Sequence, residues 1–314
     1  MNYLKDYREG EKFVGTYLCK QKQILKTKAG KTYYSLTLQD KTGTADGKIW
    51  ELNNGIANFE PMDYIHCEGM VTSFQGNLQM NISRVRISDE GEYDPADYVP
   101  CTNKDVGEMF SRILKYVASV QNKYLRKILE MYFVENKEFV DAFKKHSAAK
   151  SVHHGFMGGL LEHTLSVTDM CQYFAEQYPM IHRDLLITAA LFHDMGKIQE
   201  ISDFPMNDYT DDGQLLGHIY IGARCMENAA AQIPNFPPKL KNELVHCILA
   251  HHGKMEFGSP KVPAIMEAMA LHMADNADAK LQTLTEVFTQ AGDNMGWLGF
   301  NRMFESNLRK TSEE

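Results

Sequence analysis

Histidine and aspartate residues recur at the ends of apolar segments in the C-terminal two thirds of the chain. His193 and Asp194 directly follow residues 185–192, a run that is almost wholly apolar and predicts a buried helix. A carboxylate at the edge of a core is costly when nothing compensates its charge, and a metal ion offsets that cost directly. This adjacent imidazole and carboxylate can coordinate one ion or bridge two, so the pair predicts a metal centre.

Four other segments repeat this arrangement, each placing imidazole or carboxylate groups beside apolar residues. The candidate ligands in these segments are His163, His218, His251, His252 and Asp275. A single histidine in such a context is more often a hydrogen-bonded structural residue than a ligand. The doublets and the repeated context instead favour a mixed histidine and aspartate site. Such ligands suit Mn²⁺, Fe²⁺, Mg²⁺ or Zn²⁺ at a catalytic centre.

Three residues near these candidates have two interpretations each. Lys197 lies just after the His193-Asp194 pair, where it is a candidate phosphate clamp or leaving-group acid. The alternative is a surface lysine at a helix C-terminus. His153 and His154 are candidates for a phosphate contact, and the alternative for both is a structural histidine.

The hydrophobic pattern changes its period along the chain and divides it into two regions. Five short segments of the N-terminal region have aromatic or β-branched residues at many alternate positions, which predicts a small antiparallel barrel of the OB-fold type. Acidic residues, a glycine and two prolines then predict a linker, after which apolar residues recur at helical spacing. We expect an OB-fold domain over residues 1–90, a linker over 91–104 and an all-helical domain over 105–314.

The predicted first hairpin of the barrel is rich in lysine and contains no acidic residue between positions 20 and 31. Its candidate RNA contacts are Lys20, Lys22, Lys26 and Lys28. An OB-fold binds single strands by stacking bases on aromatic rings beside a cationic groove. The alternative is a solvated edge whose lysines prevent strand aggregation. We favour RNA contact for the lysines and a place in the core for the nearby aromatic residues.

Composition disfavours several other classes of protein. The 314 residues are 44% hydrophobic and 24% charged, as is usual for a globular protein in water. We find no segment near the roughly 20 apolar residues of a membrane helix. The charged start lacks a signal core, and the six cysteines form no C-x-x-C pair, so we expect a cytoplasmic protein with free thiols. The net charge of −8 disfavours a broad basic face and favours a local contact with nucleic acid.

The order H…HD…H…H…D is the signature of the HD superfamily of metal-dependent phosphohydrolases. Longer motifs resemble the YhaM-type 3′-5′ exoribonucleases, a family with an N-terminal OB-fold followed by an HD domain. Five segments carry this resemblance: residues 153–167, 189–198, 215–219, 250–260 and 271–280. The resemblance covers nearly the whole chain, with no departure at the ligand positions.

The resemblance implies a site for two metal ions, usually manganese. Asp194 would bridge the two ions and so take part directly in catalysis. The remaining ligands would divide into two sets: His163, His193 and Asp275 for one ion, and His218 with one of His251 and His252 for the other.

The activity that the resemblance implies is hydrolysis of single-stranded RNA from its 3′ end to nucleoside monophosphates, by two-metal activation of water. Single-stranded DNA is a second candidate substrate, and a homo-oligomer is a candidate assembly. The HD core alone also fits a phosphohydrolase of nucleotides or cyclic nucleotides, although the attached β domain favours a polymer. A third alternative is a non-catalytic single-strand-binding protein, which the intact ligand set disfavours.

Overall fold

The computed structural model describes residues 3–74, 77–150 and 154–312. Within it the chain forms two compact units. One unit comprises Met1–Cys101 with Asp203–Met206, and the other comprises Thr102–Ser202 with Asn207–Glu314.

The first unit is a closed barrel of five strands. Its strands are β1 (Lys12–Lys26), β2 (Thr32–Asp40), β3 (Gly43–Ile49), β4 (Tyr64–Phe74) and β5 (Asn77–Ile87). Their order around the barrel is β1-β2-β3-β5-β4, and β4 pairs with β1 to close it. The β3–β5 pair is parallel and the others are antiparallel. A five-stranded closure of this order is the OB-fold architecture, which confirms the fold predicted from the alternating pattern.

Strand β1 is long enough to pair with both β4 and β2. Its first half pairs with β4 and its second half with β2, and the register shifts at a bulge between Cys19 and Gln21. Alternate residues of β2, such as Leu36 and Leu38, face the barrel core and are fully buried. This period of two is the signal from which the sequence predicted strands.

The second unit is helical, as predicted. Its helices are α1 (Val106–Ser119), α2 (Lys123–Phe133), α3 (Lys137–Lys145), α4 (Gly159–Gln177), α5 (Arg183–Phe192), α6 (Lys197–Glu200), α7 (Asp211–Ala231), α8 (Pro238–Ala250) and α9 (Met266–Gln290). Short 3₁₀ helices lie at Leu4–Asp6, Pro95–Asp97 and Met255–Phe257, and two-residue strands β6 (Phe300–Asn301) and β7 (Ser306–Asn307) pair near the C-terminus.

Helix α5 lies at the centre of this unit. Every residue from Leu185 to Phe192 is buried, and α5 packs against α4, α8 and α9. A helix that is apolar all round is stable only when other helices surround it. The residues that directly follow α5 therefore emerge inside the bundle rather than at its surface. Among the described residues, no helix combines the length and the apolar character that a membrane crossing requires.

Candidate metal centre

The helical unit brings all seven predicted ligands to one place. Their elements are α4 for His163, the end of α5 for His193 and Asp194, α7 for His218, the end of α8 for His251 and His252, and α9 for Asp275. All seven side chains are buried or half-buried. Apolar helices thus deliver polar side chains to a shared interior position, as the sequence pattern predicted.

One group of atoms lies around Asp194 Oδ2. His163 Nε2 lies 3.3 Å from Asp194 Oδ2, 3.3 Å from Asp275 Oδ1 and 3.1 Å from His193 Nε2. His193 Nε2 lies 3.4 Å from the same Asp194 oxygen. Ligands about 2.1 Å from an ion and at right angles to each other lie about 3 Å apart. These four side chains therefore have the spacing of a single coordination shell.

A second group of atoms lies around Asp194 Oδ1. Asp194 Oδ1 lies 3.5 Å from His218 Nε2 and 3.6 Å from His251 Nε2. His218, His251 and His252 each offer a ring nitrogen, and these three atoms lie within 4.8 Å of one another. Asp194 thus stands between two groups of histidine nitrogens and turns one oxygen towards each.

Three atoms of the second group are buried without a hydrogen-bond partner among the described residues. They are Asp194 Oδ1, His218 Nε2 and His251 Nε2. Leaving a buried polar atom unsatisfied costs about 1–3 kcal/mol, so their convergence needs an explanation. A divalent cation would accept all three lone pairs, and a donor set of imidazole and carboxylate without cysteine suits such an ion. The residues present therefore fit a metal centre.

The histidines at the helix ends are oriented by backbone carbonyls. His193 Nδ1 donates to the Ala190 carbonyl at 2.8 Å, and His251 Nδ1 donates to the Ile248 carbonyl at 2.7 Å. The last carbonyls of a helix lack an intrahelical partner, so a histidine that directly follows the helix can satisfy one of them. The same bond fixes the tautomer and leaves Nε2 free as a ligand.

Two carboxylates that the sequence analysis missed orient the other histidines. Asp278 Oδ2 accepts hydrogen bonds from His163 Nδ1 at 2.7 Å and from His154 Nε2 at 2.9 Å. Glu200 Oε1 accepts from His218 Nδ1 at 2.9 Å. Asp278 could have been found, because it follows Asp275 by three residues and so lies on the same face of α9. The role of Glu200 depends on α6 meeting α7, and no local sequence pattern indicates it.

Two glycines allow the chain to place His218. At Gly217 the backbone has a φ of 72° and interrupts α7, and the His218 amide donates to Glu200 at 2.9 Å. At Gly196, which follows the His193-Asp194 pair, a Cβ atom would lie 2.1 Å from the His218 carbonyl oxygen. A side chain at position 196 would therefore push α7 away from the centre.

Comparison with known proteins assigns the chain to a family. A family model described as the HD domain matches residues 160–280. The 3′-5′ exoribonuclease YhaM of Geobacillus sp. (strain WCH70) is 32% identical over 257 residues, which cover 81% of this chain and 78% of that protein. The 3′-5′ exoribonuclease YhaM of Bacillus subtilis (strain 168) is 32% identical over 262 residues, with 81% of each chain covered. The chain belongs to the YhaM family.

Among solved structures, the second OB-fold domain of replication protein A from Methanococcus maripaludis matches 29% of this chain and 98% of that chain. The sequence identity is 20% and the TM-score is 0.24.

In this YhaM family member, the other predicted site residues lie in different surroundings. Lys197 Nζ contacts Asp194 Oδ2 at 2.6 Å, beside the metal centre. His154 is buried behind Asp278, where it supports that carboxylate. His153 lies outside the described residues.

The predicted RNA-binding lysines of the barrel also differ from one another. The Lys22 side chain is only 8% exposed, donates to the Phe59 carbonyl at 2.5 Å and lies over the Tyr34 and Phe59 rings. Lys22 is therefore part of the barrel packing. Lys20, Lys26 and Lys28 are exposed, as a contact with a strand requires.

The charges of the centre stabilise one another. Burial alone would lower the pKa of His163, but its bonds to Asp194, Asp275 and Asp278 hold that pKa well above 6.5. Burial would raise the pKa of Asp275, yet the neighbouring histidines, His163 first, hold it well below its usual range. At His252, burial and the neighbouring His251 lower the pKa to about 4, so its ring is neutral at physiological pH. The carboxylates are thus charged and His252 is ready to act as a ligand.

Binding of a divalent metal ion is expected to strengthen as the pH rises above 6.5. In the metal-free centre the raised pKa keeps His163 protonated at neutral pH, and a bound ion must displace that proton. Because protonation lessens as the pH approaches the raised pKa, competition with the metal lessens too. Calorimetric titration with Mn²⁺ in buffers of different ionisation enthalpy should show proton release. An affinity that stays constant between pH 6.5 and about pH 8 would contradict this account.

A cavity of about 430 Å³ opens beside the metal centre. Its lining includes Lys197, His218, His252 and Asp275 from the cluster, together with Asn276. Pockets that bind small molecules usually have volumes of about 300–1,000 Å³, so this one can hold a substrate group of moderate size. Of the cluster, His218, His252, Asp275 and Lys197 are therefore the side chains that a bound substrate would meet.

Proposed function

We propose that the chain is a metal-dependent exoribonuclease that degrades single-stranded RNA from its 3′ end to nucleoside monophosphates. The chain belongs to the YhaM family, and the relatives compared above are named 3′-5′ exoribonucleases. The observation that carries the proposal is Asp194, whose two oxygens face two groups of histidine nitrogens beside an open cavity. This arrangement suits a hydrolase that uses two divalent ions, with Mn²⁺ as our first candidate.

We assign the protein ligands in two sets that share Asp194. The sets are His163, His193 and Asp275 with Asp194 Oδ2, and His218, His251 and His252 with Asp194 Oδ1. Sequence reasoning left one of the last two histidines out of the second set. The inclusion of both is supported by their Nδ1 atoms, which donate to the Ile248 and Phe257 carbonyls at 2.7 Å and leave each Nε2 free.

Bound there, divalent ions would lower the pKa of a coordinated water and stabilise the charge that develops on the scissile phosphate. Lys197 holds Asp194 in place and lines the cavity. Although burial opposes its charge, Asp194 raises the pKa of Lys197, so the side chain is a cation at neutral pH. Because a raised pKa makes a proton harder to give up, the role of phosphate clamp is favoured over that of leaving-group acid.

We assign RNA capture to the barrel within residues 1–90 and hydrolysis to residues 105–314. The exposed Lys20, Lys26 and Lys28 are the proposed phosphate contacts of the barrel. Single-stranded DNA is a second proposed substrate. The homo-oligomer and the cytoplasmic location expected from the sequence stay predictions.

The test is incubation of the purified protein with a 5′-labelled single-stranded RNA and Mn²⁺, with EDTA in a parallel reaction and a labelled DNA beside it. We expect a ladder that shortens from the 3′ end and is absent in EDTA. No shortening by a protein with confirmed bound metal would contradict the proposal. Because the cavity volume also suits a single nucleotide, a nucleotide phosphohydrolase would then be the better account.

A further inference from the structure

Two exposed aromatic rings stand at the cavity beside the metal centre. Tyr209 and Phe257 both line it, and they are 46% and 55% exposed. The rest of the lining includes charged and imidazole groups that point to a polar ligand. The half of each ring that is left in water gains nothing from packing, so a ligand with flat apolar faces would account for this exposure.

Each ring is accompanied by a lysine. Lys150 Nζ lies 5.8 Å from the centre of the Tyr209 ring, and Lys254 Nζ lies 5.2 Å from the centre of the Phe257 ring. Lys150 also contacts the carboxylate of Asp208, and Lys254 contacts the carboxylate of the glutamate two residues after it. All four side chains are about half exposed or more. Exposed ion pairs contribute only about 0–1 kcal/mol, so a phosphate can replace the carboxylate at little cost.

Both rings are tied to residues that orient the metal ligands. The Phe257 carbonyl accepts the hydrogen bond from His252 Nδ1 at 2.7 Å. Tyr209 pairs with Ile201 across a β-bridge, and the next residue donates its amide to the Glu200 carbonyl at 2.9 Å. Because Glu200 in turn holds His218, the backbone of each aromatic residue is linked to a histidine of the second group. Such anchoring is typical of a built subsite rather than of a mobile surface loop.

We infer that Tyr209 with Lys150 and Phe257 with Lys254 form a subsite that holds the 3′-terminal nucleotides of a single strand. The bases stack on the rings and the lysines contact the adjoining phosphates, which is how proteins hold single strands without reading their sequence. The inference rests on the proposed function and names the part of the substrate that this face of the cavity takes. A double helix, whose bases are already stacked, cannot use such a subsite.

The test uses three variants of the full chain: Tyr209→Leu, Phe257→Leu and the double variant. Tyr173→Leu is the matched control, since Tyr173 is 58% exposed on α4 and does not line the cavity. Each is assayed with Mn²⁺ on a single-stranded RNA trinucleotide, which is short enough to depend on the cavity, and on methyl p-nitrophenyl phosphate, which has no base. Binding of the labelled trinucleotide in EDTA is measured by fluorescence anisotropy.

We expect the KM and the Kd for the trinucleotide to rise about tenfold for each ring removed, while hydrolysis of the small diester and the control variant stay unchanged. A double variant that matches the control on the trinucleotide would overturn the inference. Equal losses on both substrates would also overturn it, because the rings would then only support the metal centre. If the unaltered protein does not shorten RNA at all, the proposed function fails, which is a different outcome from these.

Discussion

Replacing Asp194 with asparagine is expected to lower RNA hydrolysis by more than about a hundredfold. Even partners that only orient a ligand cost 10–100-fold when they are removed, and Asp194 itself faces both groups of candidate ligands. Asparagine keeps the shape of the side chain but loses the charge that two cations would share. The fold should persist, because the amide oxygen can still accept from Lys197.

The Asp194→Asn experiment measures cleavage of labelled RNA at saturating Mn²⁺, with circular dichroism to confirm folding. Asp141→Asn is the control, because Asp141 is an exposed aspartate on α3. Near-normal cleavage by a folded Asp194→Asn protein would exclude Asp194 as the shared ligand.

Replacing Asp278 with alanine should weaken Mn²⁺ binding by about 10–100-fold. This carboxylate accepts from both His163 and His154 and also from the Ser166 hydroxyl, so its loss leaves buried donors unpaired. His163 would then lose the bond that fixes its tautomer and turns Nε2 towards the centre. Binding is measured by competition with a fluorescent chelator, which reports the metal without depending on catalysis.

Asp278→Asn is the matched variant for this experiment. Its amide oxygen can still accept from His163, so we expect it to recover much of the affinity that alanine loses. An alanine variant with unchanged metal affinity would show that Asp278 serves packing alone.

The convergence of the candidate ligands could be predicted from sequence because their signal is local. His193-Asp194 directly follow the apolar helix α5, and His251-His252 directly follow the apolar last turn of α8, so chain order alone indicated that they emerge within the bundle. The barrel was predictable for a similar reason, since aromatic or β-branched residues alternate within short segments, and in β2 alternate residues are buried.

The partners of the supporting residues lie in distant segments, so their roles could not be predicted even where, as for Asp278, the helix face could. Asp278 lies 124 residues from His154 in the chain, yet the two side chains share a hydrogen bond. Lys22 belongs to the same lysine-rich segment as Lys20, and only the closed barrel shows that its side chain covers the Phe59 ring. Composition and spacing cannot distinguish a packed lysine from a free one.

The most direct test of the account is the number and position of bound metal ions. Crystals of the protein grown with Mn²⁺ can be measured at a wavelength where manganese scatters anomalously. We expect one peak on each side of Asp194, the first next to His163 and Asp275 and the second next to His218 and His251. A single peak, or peaks away from Asp194, would contradict the shared carboxylate on which the proposed hydrolysis depends.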